Sequence, residues 1–142
     1  MKMAMIMLAA ACAGLISSGA FASEEEYLPW TQARIESAGD AETGKVVFSA
    51  KTDGTAFREI TIQVFGKEHQ LGKDQLLKLQ GFALAGLVIT HEGGYKELGG
   101  HTVYFKLKKS AYADGKVKQE EAIIAVSKGN GLKLEGPREA RK

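Results

Sequence analysis

Apolar residues along this chain fall into two regimes. Residues 3–16 are apolar almost without a break, whereas from Val46 onward short apolar runs alternate with polar positions and are cut at short intervals by turn residues. The second regime is that of half-buried strands, in which successive side chains point to opposite faces. Val46-Val47-Phe48-Ser49-Ala50 and Phe57 to Phe65 flank Thr52-Asp53-Gly54-Thr55, and Asp-Gly between two apolar runs predicts a hairpin. Ile60, Ile62 and Val64 alternate with Glu59, Thr61 and Gln63, giving one buried and one wet face. A second turn is expected at Gly66-Lys67, leading into a short strand over Glu68 to Leu71.

Asp74 is placed to cap a short helix in which Leu76 and Leu79, three residues apart, share a face. Residues 82–91 are apolar on both faces, the pattern of a central strand. Val103, Phe105 and Leu107 alternate with Thr102, Tyr104, Lys106 and Lys108, and turns at Asp114-Gly115 and Gly129-Asn130-Gly131 bracket a strand over Glu121 to Ser127. Leu132 and Leu134 make a last short strand. Hairpin-length connections favour antiparallel neighbours. The predicted fold is therefore mainly β, with α+β as the variant: a small antiparallel sheet, or a curled barrel-like one, of about six strands with one or two short helices.

Residues 23–43 stay open between two readings. Pro29 can start a helix through Trp30, Arg34 and Ile35 to Gly39, or the segment can lie extended against the domain. Trp30, the single tryptophan, is expected to pin this segment to the core. The domain itself is expected over 44–136, with 137–142, containing Arg138, Arg141 and Lys142, as a basic tail. The run Glu24-Glu25-Glu26 is likewise read as a solvated terminus.

The first regime has a different meaning. Lys2 gives a positive start, Met3 to Ile16 an apolar stretch, Ser17-Ser18-Gly19 a polar break and Ala20-Phe21-Ala22 a small-residue end. That is the pattern of a secretory leader cleaved after Ala22. The uninterrupted run is too short for a membrane anchor, and Ala9-Ala10-Ala11 before Cys12 is a poor setting for lipidation. Residues 1–22 are therefore expected to be removed, with a periplasmic or secreted product of about 120 residues, one domain in size.

Cleavage changes the chemistry that remains. All four methionines and the one cysteine lie in the leader. The product would have no disulfide, thiolate metal site or cysteine nucleophile. Lys2 is the leader's one charged residue, so the formal charge falls from +2 to +1. Such a balance creates no single-sign field for nucleic acid or anionic lipid. The stripe Tyr104, Lys106, Lys108 is read as the wet face of a sheet rather than a nucleic-acid surface.

Catalytic signatures are missing. There is no GxSxG elbow, P-loop, HExxH or GxGxxG, and Glu120 and Glu121 point to opposite faces of a strand. The chain is expected not to be an enzyme and to need no cofactor. The distinctive segment is Thr90-His91-Glu92-Gly93-Gly94-Tyr95-Lys96-Glu97-Leu98-Gly99-Gly100-His101. Two Gly-Gly pairs bracket a loop whose shoulders carry His91 and His101, which meet if the flanking strands pair. Tyr95 is the candidate anchor for a protein or envelope-component partner, with Lys96 and Glu97 as a polar rim and the two histidines shaping the base. A weaker alternative is a small-ligand or metal site using His69, His91, His101 and Glu92, although their spacing fits no compact ligand signature.

Overall fold

The structure, a computed structural model, describes residues 30–54, 56–94 and 100–140. Strands β1 (Gln32–Ser37), β2 (Val46–Thr52), β3 (Phe57–Val64) and β4 (Lys67–Gln70) form one antiparallel sheet in that order. A short helix, α1 (Lys73–Lys78), leads to a second antiparallel sheet. Its strands are β5 (Ala83–Glu92), β6 (Thr102–Ala113), β7 (Lys116–Ser127) and β8 (Gly131–Glu139). The mainly-β, antiparallel expectation holds. The strands divide into two sheets of four rather than one curled sheet, because α1 and the turn after it interrupt the meander between β4 and β5.

The alternating side chains read from the sequence build a single core. Phe48, Ile60, Ile62 and Val64 from the first sheet, and Val103, Phe105, Leu107, Ile124 and Val126 from the second, are all buried in one cluster. Phe48 and Phe105 meet across it with ring centroids 5.7 Å apart. Leu76 and Leu79 of the helical turn join the same cluster.

Residues 23–29 of the ambiguous N-terminal stretch, Pro29 among them, lie outside the described residues; from Trp30 onward the stretch takes the extended option. β1 pairs with β2 from Gln32 opposite Lys51 to Ser37 opposite Val46, and Trp30 packs against the core with its ring 6.4 Å from Phe57. At the other end β8 runs to Glu139, and the Ala140 amide still bonds the Gln119 carbonyl at 2.8 Å. The expected boundary at 136 thus falls inside a strand, since Glu121 pairs Arg138 and Glu120 pairs Glu139.

Three local expectations shift. The two-residue turn after β3 is Phe65-Gly66, with φ of 54° and 68°, because Val64 pairs with Lys67. The helix is capped at Gly72, whose amide is held by the Gln75 side chain at 2.9 Å. Asp74 lies inside the first turn, where a carboxylate suits the helix dipole.

The third shift matters most. β5 is an edge strand, not a central one, and Val88 on its outer face is exposed. It looks apolar on both faces because its pairing with β6 slips between Ala83 and Val88, around Gly86 at φ 83°. Before the slip the inward positions are Phe82 and Leu84; after it they are Leu87, Ile89 and His91. A bulge of this kind changes the phase of the strand. It also turns His91 toward the space between the sheets.

Beyond Lys108 on β6, β5 offers no partner; β8 and Ala140 follow β7 as far as Gln119, and from there β6 and β7 continue as a two-stranded arm to the Asp114-Gly115 turn. Tyr112 and Val117 face each other near its tip and are exposed.

Candidate functional site

At the end of the molecule opposite that arm, three connections converge: β1–β2 (residues 38–45), the described ends of β5–β6 (93–94 and 100–101) and the β7–β8 turn (128–130). The first is wired internally by Asp40. Its Oδ1 accepts the amides of Glu42 and Thr43 at 2.9 and 2.8 Å, and its own amide donates to Thr43 Oγ1 at 2.9 Å. Gly44 N–H donates to Asp40 O at 2.9 Å, and the buried Thr43 hydroxyl donates to Gly44 O at 3.0 Å. Thr43 O accepts the Phe65 amide at 2.8 Å, fixing the connection to the β3–β4 turn.

Asp40 Oδ2, left over from this turn, lies 2.7 Å from His91 Nδ1. His91 Nε2 lies 3.0 Å from His101 Nδ1. His101 Nε2 faces Glu42 Oε2 at 3.6 Å, and Glu42 also faces Lys128 Nζ at 3.5 Å. The sequence-based expectation that the two imidazoles meet is thus realised, in a row of side chains that joins both sheets. The backbone repeats the tie, since the Lys128 amide donates to His101 O at 2.9 Å. Gly93 lies directly under the His101 ring, and a β-carbon there would stand 3.3 Å from its Cε1 and Nδ1.

The ring planes differ by only 29°, yet the rings do not stack. A centroid separation of 5.2 Å for an N···N distance of 3.0 Å puts both nitrogens near the line between the centroids. The rings therefore meet edge to edge, the geometry of an N–H···N hydrogen bond. Two imidazoles on one tetrahedral zinc would stand roughly 3.4 Å apart and converge at an angle.

The remaining residues of the metal alternative lie elsewhere. His69 is on β4 opposite Ile62. Glu92 is on the outer face of β5, beside Tyr104, whose phenol is raised above its ordinary value first by burial and then by donating its hydrogen bond to Glu92. Among the described residues no three His, Cys, Asp or Glu are arranged to hold a metal ion. Tyr95, Lys96 and Glu97 lie outside the described residues; the chain leaves toward them at Gly94, φ 89°, and returns at Gly100, φ 82°.

Sequence reasoning missed Asp40, Glu42 and Lys128. The available signal was Asp40-Ala41-Glu42-Thr43-Gly44, an Asp with a Thr three residues on and a Gly after it, which suits a side-chain-to-backbone turn.

The Asp40 carboxyl is held below its ordinary value, first by the Thr43 amide, then by the Glu42 amide and His91, against an opposing desolvation. A depressed folded value stabilises the fold above the ordinary value near 3.8 and loses that stabilisation as pH falls through the depressed one. Asp40→Asn removes this ionisation. It is expected to flatten the acid limb of stability below about pH 4 relative to the wild type, measured by urea denaturation at stepped pH.

The chain has no match among protein-family models, curated proteins or solved structures. Among the described residues no helix is long and apolar enough to cross a membrane.

Proposed function

We propose that the protein is an exported, non-enzymatic binding or accessory protein of the cell envelope that engages a protein or envelope component through the 91–101 loop. The observation that carries this reading is the construction of the loop's root. His91 and His101 bond edge to edge and are flanked by Asp40 and Glu42, so the two strand ends that border residues 95–99 are tied to both sheets. Tyr95 then serves as the aromatic anchor, with Lys96 and Glu97 as its polar rim.

Export rests on the leader-like residues 1–22, and the non-enzymatic assignment on the lack of a recognisable catalytic motif. The metal-carrier alternative is less well supported, because the edge-to-edge rings suit a shared proton better than a cation.

The test is capture from envelope extract with tagged residues 23–142, read by mass spectrometry. A stoichiometric partner is expected to be lost with Tyr95→Ala/Lys96→Ala and kept with Tyr112→Ala, both variants having wild-type circular dichroism. Undiminished capture by the first variant would remove the loop from the account.

A further inference from the structure

The row Asp40, His91, His101, Glu42 contains a conflict in proton bookkeeping that decides its charge. An ionised carboxylate only accepts hydrogen bonds. The 2.7 Å contact with Asp40 Oδ2 therefore puts a proton on His91 Nδ1, which leaves a lone pair on His91 Nε2 when that ring is neutral. The 3.0 Å contact from Nε2 then requires a proton on His101 Nδ1. A neutral His101 would have no further proton and would turn the lone pair of its Nε2 toward the carboxylate of Glu42, 3.6 Å away. Lone pair against anion is repulsive. A third proton, on His101 Nε2, turns the same contact into an ion pair.

We infer that the His91–His101 pair and Glu42 form a proton-controlled clasp between the two sheets, closed when the two rings together hold three protons and released when the His101 Nε2 proton leaves to solvent. The bridging proton satisfies the 3.0 Å contact from either ring, so the single positive charge belongs to the pair. Among the described residues the charged groups facing the pair are Asp40 and Glu42 from the β1–β2 connection and Lys128 from the β7–β8 turn. Glu92 points to the other face, toward Tyr104. Asp40 is already committed through its other oxygen to the Thr43 and Glu42 amides. Glu42 is the movable member: when His101 is neutral, Glu42 keeps Lys128 and gives up the ring.

The clasp works in a window. Above it the third proton is lost. Below it a fourth proton enters the pair, and two N–H groups confront each other across the 3.0 Å gap. Imidazoles exchange protons at pH values between about 5 and 8, the range a cell envelope meets. The root of the 91–101 loop therefore changes its bracing with ambient pH. This property belongs to the fold alone and does not depend on the loop having a partner.

The experiment is an imidazole nitrogen NMR titration of residues 23–142, which separates protonated from lone-pair nitrogens. In the wild type, the expected result is that His101 Nε2 alone loses its proton as pH rises. His91 should keep a protonated Nδ1, with the amide shifts of Glu42 and Lys128 following the same midpoint. Glu42→Gln replaces the carboxylate with a group able to donate to the lone pair, and should move the midpoint of Nε2 proton loss to lower pH. Lys128→Met removes a competing cation and should raise it. The two variants have opposite signs, so general loss of structure does not mimic the pair, and both sites are exposed enough to tolerate the change. Independent titration of the two rings, a proton lost from His91 first, or a His101 midpoint unmoved in both variants would overturn the clasp.

Discussion

Phe105→Ala is expected to destabilise the protein by about 3–5 kcal/mol, the range for emptying a buried aromatic site. Phe105, in the first half of β6, is fully buried, and its ring faces Phe48 from the other sheet at 5.7 Å. Ile60, Ile62, Leu107 and Ile124 of the same cluster sit on strands paired within their sheets. They are poorly placed to collapse into the vacated space. Phe48→Ala should have a similar effect, since it removes the other half of the same contact. The double variant should lose less than the sum by about 0.5–1.5 kcal/mol, the coupling of an aromatic pair. Urea denaturation of the four proteins measures this cycle. Strict additivity would mean that the two sheets do not meet through these rings.

Gly39→Ala is the second large effect, and it falls on the site rather than the core. Gly39 has φ 66°, and a β-carbon on it would lie 1.8 Å from Gly44 O and 2.6 Å from Thr43 Oγ1. The neighbour is backbone, so no rotamer change relieves the overlap, and the 39–44 connection must rearrange. Left-handed backbone alone costs a non-glycine residue about 1–2 kcal/mol. The overlap and the lost Asp40 turn should bring the total to about 2–4 kcal/mol. Gly44→Ala is the internal comparison: its φ is 63°, but nothing lies within 4 Å of the added atom. It should show the backbone cost alone, about 1 kcal/mol. If both variants behave alike, the close packing of the connection plays no part in stability.

The sequence made the strands legible because most carry a clean period-two pattern. Ile60-Ile62-Val64 and Val103-Phe105-Leu107 point inward as their alternation predicts. Asp114-Gly115 turns with both residues at positive φ, as that dipeptide suggests. β5 was misplaced because periodicity averages over a bulge. The slip at Gly86 swaps the inward set from Phe82 and Leu84 to Leu87 and Ile89, which on paper looks like two apolar faces.

The histidine pairing was legible for a related reason: two imidazoles on the shoulders of a hairpin are brought close by any register that pairs its strands. Their carboxylate partners were not. Asp40 and Glu42 belong to the other sheet and reach the histidines only because Phe48 and Phe105 hold the sheets face to face. That contact lies across about 50 residues of sequence and leaves no local pattern.

The central claim is that the end of the molecule carrying His91 and His101 is the surface that meets a partner. Hydrogen exchange of residues 23–142, alone and with the captured partner at saturating concentration, tests it most directly. Slowed exchange is predicted at 38–44, 91–102 and 128, with the β6–β7 arm around Tyr112 and Val117 unchanged. Protection confined to the arm, or to the outer face around Tyr104, with the His91–His101 end exchanging as before, would contradict it.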